Sequence, residues 1–280
     1  MQDYIEVEFR SGRMGYYQNP EQLPINPEDL IIVEVERGED IAQIVHMAVP
    51  REEKEIPDSN GRIYKIRRCA TEEDFEKLRS IGYEEEKASR TFNDLLLRYP
   101  FEMKLIETVF QFDGNKLTFF FTADGRIDFR VFVRELATIF KTRIELHQTT
   151  GRDEAKRLGG FGMCGHQYCC SSFLKRFNQV TIKMAKDQNL AGNLSKISGP
   201  CGRLLCCLNF EEDFYVEEGK GFPIIGTCVQ YADSRAMVYR IDVLAQKIYL
   251  STEDQIIVEM NPDEYSRLRV ISIPDLETCQ

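Results

Sequence analysis

Between Gly162 and Phe210 the chain carries one cysteine pattern twice. Gly162-Met-Cys164-Gly165-His-Gln-Tyr-Cys169-Cys170-Ser-Ser-Phe173 is followed, 37 residues on, by Gly199-Pro-Cys201-Gly202-Arg-Leu-Leu-Cys206-Cys207-Leu-Asn-Phe210. Both read G-x-C-G-x-x-x-C-C-x-x-F, and together they hold six of the nine cysteines. The spacing rules out a uniform helix. At about 100° per residue, Cys164, Cys169 and Cys170 would stand at roughly 0°, 140° and 240° and point to three sides. At least one cysteine of each copy must leave the helix and curl back. Gly165 and Gly202, each just after a lone cysteine, supply the backbone freedom for this, and their N–H groups are then expected to donate to sulfur. Cys206 and Cys207 are expected to begin, or lie within, a helix running to Tyr215.

Which chemistry the thiols serve depends on where the chain resides. Nothing in it approaches the roughly 18 uninterrupted apolar residues of a spanning helix. The first ten residues alternate polar and apolar and carry acids early, which suits a strand and not a signal peptide. The expectation is a cytoplasmic protein, with no membrane span, in a reducing environment. There, clustered cysteines point to metal or redox chemistry and not to structural disulfides. The net charge of −10 excludes a general polyanion binder. Its distribution is uneven: between Arg152 and Arg203 nine basic residues face three acids, and Glu211, Glu212, Asp213, Glu217 and Glu218 follow at once. Either these are two solvated faces, or the 152–203 region is a basic surface. Such a surface would offset an anionic cluster or meet an anionic partner such as RNA.

Periodicity predicts an α+β fold of four sections. Residues 1–70 read as a β-rich N-terminal section, with strands at Tyr4–Phe9, Leu30–Val35, Ile41–Met47 and Arg62–Arg67. Residues 71–150 read as an α-β-β-α-β unit. Its first helix opens at Thr71, is bent or divided at Gly82 and ends at Pro100. Its hairpin turns at Asp113-Gly114-Asn115, and Asp128 caps its second helix. The many phenylalanines are a core stripe, since no basic residues interleave them as base stacking requires. Residues 151–220 hold the duplicated cysteine region, helical or looped. Residues 221–280 read as a small antiparallel barrel or sheet followed by a tail.

The candidate metal ligands are Cys164, Cys169, Cys170, Cys201, Cys206 and Cys207. Six thiols exceed what one tetrahedral zinc takes. They suit a four-cysteine iron–sulfur cluster with two thiols to spare, or two sites completed by another molecule. Zinc and thiol redox chemistry remain open alternatives. His166 lies in the first copy, but Arg203 takes its place in the second, so it reads as a group beside the site and not a ligand. His46, alone on an apolar strand, reads as a structural histidine. Cys69, Cys228 and Cys279 have no motif around them. There is no Cys-x-x-Cys pair, Walker A loop, Rossmann glycine pattern or His-Glu-x-x-His, so an enzyme is not expected.

The blocks Gly159–Cys170, Met184–Leu190 and Lys196–Leu208 resemble the bacterial YaaT (RicT) proteins, and the similarity extends over nearly the whole chain. That family carries the PSP-one C-terminal region, which matches here at about 60–150. The resemblance implies a non-catalytic regulator in complex with two small helical partners, YmcA (RicA) and YlbF (RicF). The complex carries [4Fe-4S] clusters and affects endoribonuclease Y-dependent messenger RNA maturation, and through it sporulation, competence and biofilm choice. It further implies that Cys164, Cys169, Cys170 and Cys206 bind one cluster within the chain. Cys201 would contribute to a second cluster shared with a helical partner, leaving Cys207 without an assigned role.

Overall fold

Short alternating strands at the N-terminus close on themselves. In the computed structural model, which describes residues 4–49, 64–125, 127–175, 177–190 and 194–274, the chain divides into two units, Met1–Thr150 and Gly151–Gln280. In the first unit, β1 (Tyr4–Phe9), β2 (Met14–Gln18), β3 (Leu30–Glu34), β4 (Glu39–Val49) and β5 (Tyr64–Cys69) form a closed barrel in the order β1-β2-β5-β3-β4. Ile5, Val7, Ile31, Val33, Ile44 and Ile66 fill it. β3 is apolar on both faces because both are covered. Ile31 and Val33 point into the barrel, while Ile32 packs outside with Ile41 and Phe112. β2 is the strand the pattern does not single out. It is five residues long and contains Gly15, where a Cβ would press on the Tyr17 ring at 3.0 Å and the Phe9 ring at 3.2 Å.

The α-β-β-α-β unit follows as expected: α1 (Glu72–Leu96), β6 (Met103–Phe110), β7 (Lys116–Ala123), α2 (Arg130–Phe140) and β8 (Arg143–Gln148). Asp74 caps α1 by accepting from the Thr71 N–H at 2.8 Å and the Thr71 hydroxyl at 3.0 Å. The Arg68 guanidinium holds the Asp74 carboxyl well below the usual carboxylate range. Gly82 does not divide α1, and the helix stops at Leu96, before Pro100. The Gly82 side of the helix has nothing within 4 Å, so the missing side chain leaves no packing defect to break it. Phe129, and not Asp128, is the N-cap of α2; Asp128 stands one residue earlier and accepts from the Arg130 N–H at 3.1 Å. β6 pairs antiparallel with β7, and α2 carries the crossover that sets β8 parallel to β7. The phenylalanines form the core between sheet and helices, with Phe92 and Phe119 ring centroids 4.6 Å apart and Phe92 and Phe132 5.1 Å apart.

The second unit holds α3 (Arg152–Leu158), α4 (Ile182–Asp187), α5 (Leu194–Ile197) and α6 (Cys206–Gly219). Beyond them lie β9 (Cys228–Tyr231), β10 (Ser234–Asp242), β11 (Lys247–Thr252), β12 (Ile257–Met260), α7 (Pro262–Tyr265) and β13 (Arg269–Ser272). The five strands form an open antiparallel sheet in the order β12-β11-β10-β9-β13. β13, exposed at every position, completes the edge, and its pattern gave no strand signal. The fold is thus α+β, with β-rich sections before and after the α-β-β-α-β unit and the thiol region. Among the described residues no helix is long and apolar enough to cross a membrane. Cys279 lies outside the described residues.

Candidate metal centre

The two cysteine loops are built on the same backbone. The Gly162 N–H donates to the His166 carbonyl at 2.8 Å, and the Gly199 N–H to the Arg203 carbonyl at 2.8 Å. The Gly165 N–H reaches the Gly162 carbonyl at 3.0 Å, and the Gly202 N–H the Gly199 carbonyl at 3.0 Å. Tyr168 donates to Gly160 at 3.0 Å, and Leu205 to Ile197 at 2.9 Å. Each donor and acceptor of the second loop stands 37 residues after its counterpart. Gly165 and Gly202 have φ of 80° and 72°, the left-handed conformation that lets the chain turn back after the lone cysteine. In both loops the first glycine lies under that cysteine's sulfur. A Cβ at Gly162 would meet Cys164 Sγ at 3.2 Å, and one at Gly199 would meet Cys201 Sγ at 3.5 Å. One expectation is corrected here: the Gly165 and Gly202 amides donate to carbonyls that close the turns, not to sulfur.

The loops part company at their vicinal pairs. After Cys169-Cys170 the chain continues in turns, while Cys206-Cys207 opens α6. The closing phenylalanines of the two copies meet, Phe173 edge-on to Phe210 at 5.1 Å between centroids. The thiols also act on one another. The Cys206 thiol is pushed up to about 11, chiefly by burial, with Arg152 opposing and Cys170, Cys169 and Cys201 adding to the shift. Burial also raises Cys170, with Cys201 and Cys169 adding to the shift and Arg152 opposing it. Cys207 is raised by burial, then by Glu211, Cys169 and Cys164. Thiols of each loop thus act on thiols of the other. Among the described residues, no three His, Cys, Asp or Glu side chains come together closely enough to hold a single metal ion.

A buried cation stands in that neighbourhood. Arg152, at the start of α3, is 8% exposed. It donates to the Leu204 carbonyl of the second loop at 3.2 Å and lies 4.7 Å from the Phe177 ring centroid. Its Nε is buried with no hydrogen-bond partner among the described residues. A buried guanidinium with a spare donor is costly unless anionic charge offsets it, and an anionic group held at the thiols would supply such charge. The donor set is soft and the adjacent charge positive, and in that chemistry these residues fit an iron–sulfur group.

Beneath the loops, Ala185 of α4, Ile197 of α5 and Leu208 of α6 form a small apolar core. Gln188, itself buried, donates to the Leu208 carbonyl at 2.6 Å, and Asn189 to the Ile241 carbonyl of β10 at 2.7 Å. The Met184–Leu190 stretch thus ties α6 to the sheet.

The profile of the PSP1 C-terminal conserved region matches residues 64–149, and that of the PSP1-like protein third domain matches residues 179–222. Over 244 residues the chain is 40% identical to Stage 0 sporulation protein YaaT of Bacillus subtilis, covering 87% of this chain and 88% of that protein. The chain belongs to the YaaT family. A second relative, Uncharacterized protein PB7E8.02 of Schizosaccharomyces pombe, is 27% identical over 171 residues, which span 52% of this chain and 23% of that protein. No solved structure matches.

In this YaaT family member the structure places Cys169, Cys170, Cys201, Cys206 and Cys207 partly or fully buried and leaves Cys164 exposed. His166 is an exposed side chain whose backbone carbonyl closes the first loop, and His46 is exposed on β4. Cys69 packs against the barrel core with its sulfur 3.8 Å from the Pro24 carbonyl, and the Cys228 sulfur lies 3.9 Å from the Gly226 carbonyl. Sequence reasoning missed Arg152, which it counted with a basic surface. Nothing in the sequence marked it, because only the fold sets Gly151 and Arg152 against the second loop, where a Cβ at Gly151 would fall 2.8 Å from the Cys201 carbonyl.

Proposed function

We propose that the chain is a non-catalytic iron–sulfur regulatory subunit of a complex that modulates endoribonuclease-dependent maturation of messenger RNA and, through it, cell-fate choices such as sporulation. One observation carries the iron–sulfur part. Two loops with matching turns carry six soft donors, and thiols of each act on thiols of the other beside a buried, incompletely satisfied guanidinium. A zinc ion needs its ligands to converge on one point. A cluster spreads its thiolates over the corners of a cage, and the two loops offer more thiols than one tetrahedral ion takes. When bound, such a cluster supplies one-electron redox chemistry and sensitivity to oxygen. Cys164, Cys169, Cys170 and Cys206 would hold it, and Cys201 would serve a second cluster shared with a partner. Arg152 offsets the thiolate charge, and the Gly165 and Gly202 turns set where the lone cysteines stand.

The regulatory part follows the family. The relative's name ties it to sporulation, and the partners in this reading are the helical YmcA (RicA) and YlbF (RicF) proteins together with endoribonuclease Y. Exposed apolar side chains on the thiol region support partner docking there: Phe161 is 69% exposed, Met163 70% and Phe210 58%.

Anaerobic purification tests the reading. Brown protein absorbing at about 400 nm, with about four iron and four sulfide per cluster, is the expected result. The Arg152→Met variant keeps every thiol, and its cluster is expected to show a lower reduction potential because a nearby positive charge is gone. Colourless protein carrying stoichiometric zinc would overturn the reading.

A further inference from the structure

The first unit carries a cleft with chemistry of its own, remote in sequence from the thiols. It has a volume of about 400 Å³ and is lined by Arg13, Arg37, Lys116 and Arg143, with Glu36 and Glu145 as its carboxylates. Among the lining residues four cations face two carboxylates, in a chain whose net charge is −10. The barrel contributes Arg13 and Arg37, the three-stranded sheet Lys116 and Arg143, and the Tyr17 and Tyr64 rings line the same space.

The cationic wall is held in place. Arg37 sits on the turn between β3 and β4, and this turn is tied to the hairpin turn between β6 and β7. Asp113 accepts from the Glu39 N–H at 3.0 Å and from the Asn115 side-chain amide at 2.8 Å. Gln111 donates to the Arg37 carbonyl at 2.9 Å and to Asp113 at 2.9 Å. Between the two turns Gly38, with φ of 93°, lies so close that a Cβ there would fall 1.8 Å from Asp113 Oδ2. Across the cleft, Glu145 stands 3.4 Å from Lys116 and 3.0 Å from Arg143. One carboxylate cannot neutralise both cations, but it does hold them side by side. Asp40 lies nearby, its carboxylate taken up by the Ile41 and Phe112 amides at 2.9 Å and 3.1 Å. Arg13 rests over the Phe9 ring at 4.1 Å and acts on the Asp40 carboxylate, while Arg37 has no ion pair among the described residues.

Cations that served only solubility would not need to be fixed so firmly on two facing walls. Guanidinium groups present paired donors that match phosphate oxygens, and several around one small space exceed what a single carboxylate ligand requires. The volume falls at the lower end of the range for small-molecule sites. We propose that this cleft binds a phosphate ester of nucleotide size. The phosphate is that of a free mononucleotide or of one nucleotide within a single strand.

Calorimetric titration of the full chain at low ionic strength tests this, with inorganic phosphate, uridine, uridine 5′-monophosphate and a five-residue oligouridylate as probes. Saturable binding of uridine monophosphate that weakens with salt, and no binding of uridine, is the expected result. Equal affinity for monophosphate and oligonucleotide identifies a free nucleotide as the source, whereas tighter oligonucleotide binding that the monophosphate competes away identifies a strand. Arg37→Gln, at an exposed turn residue without an ion pair, is expected to weaken binding about tenfold or more, and Arg37→Lys to restore part of it. Arg90→Gln, on the exposed face of α1, serves as the control and leaves binding unchanged. The proposal is overturned if no phosphate-bearing probe binds. It is equally overturned if uridine binds as well as its monophosphate, or if Arg37→Gln and Arg90→Gln behave alike in correctly folded protein.

Discussion

The first thiol loop is glycine under tyrosine where the second is isoleucine under leucine. At Gly160 the chain has φ of 142°, and a Cβ would fall 2.7 Å from the Tyr168 ring. At the equivalent positions of the second loop Ile197 is 1% exposed and joins the small apolar core, with Leu205 packed against it. A large residue thus faces a small one in the first loop, and two medium residues face each other in the second. Yet the turn between them has the same hydrogen bonds in both. The next difference, His166 against Arg203, concerns two exposed side chains at a position where the backbone carbonyl does the structural work. The differences teach that the backbone turn and its cysteines are what the two copies share, while the layer beneath each is fitted separately. The copies also differ in setting. The first has the exposed Cys164 and the buried Cys170, while in the second Cys201 and Cys207 are both half-buried.

The sharpest way to break the equivalence is to remove one thiol from the same place in each loop. Cys169→Ser and Cys206→Ser are each expected to cut iron and sulfide content more than about tenfold, well beyond the effect of changing a group outside the ligand set. Metal analysis and visible absorbance of anaerobically purified protein measure this. If either variant keeps a full complement while the other loses it, the loops do not serve a common centre.

Next in size is the layer under the first loop. Gly160→Ala introduces both an unfavourable φ and a close approach to the Tyr168 ring, and is expected to cost about 2–3 kcal/mol of unfolding free energy. Combining it with Tyr168→Leu removes the ring and should recover part of that loss in urea denaturation. Ile197→Val, the milder probe of the second loop, is expected to cost about 0.5–1.5 kcal/mol. A Gly160→Ala variant as stable as the parent would mean that Tyr168 does not hold the first turn down.

How much of this was legible before the fold was known depends on the kind of signal. The α-β-β-α-β unit was, because Asp113-Gly114-Asn115 and the capping residue Thr71 act locally and the phenylalanine stripe follows helix and strand periods. The thiol turns were legible in part. Gly165 and Gly202 announced the reversal, but which acceptor their amides would find depends on carbonyls three residues upstream, and composition does not report that. Barrel closure was not legible, since it rests on the short β2 pairing in parallel with β5 through Tyr17 and Tyr64, a contact between residues 47 apart. Arg152 escaped for a related reason. A charge near other charges in sequence reads as surface, and only the fold brings it beside Leu204 and the thiols.

A third comparison acts on the turns themselves. Gly165→Ala and Gly202→Ala meet nothing within 4 Å, so any cost comes from the positive φ alone. Each is expected to lose about 1–2 kcal/mol, and the two losses should agree closely if the turns are the same physical object. Urea denaturation of the metal-free protein, compared between the two variants, checks this. A large inequality would mean that one turn is held by its surroundings and the other by its own backbone.

The smallest effect tests the contact between the copies. Phe173 and Phe210 are both more than half exposed, so little apolar burial is lost when either is truncated. Their edge-to-face contact at 5.1 Å is therefore close to the whole of the interaction, and such pairs contribute about 0.5–1.5 kcal/mol. A double-mutant cycle with Phe173→Ala and Phe210→Ala should return a coupling in that range. The pair joins the end of the first loop to α6 just after Cys206-Cys207, so its loss frees the two vicinal pairs to move relative to each other. Both variants are accordingly expected to release iron faster to a chelator than the parent does. Zero coupling with unchanged release would leave the thiols to be held together by Arg152 and the core beneath them, and would make the meeting of the two phenylalanines a feature of an exposed surface that a partner covers.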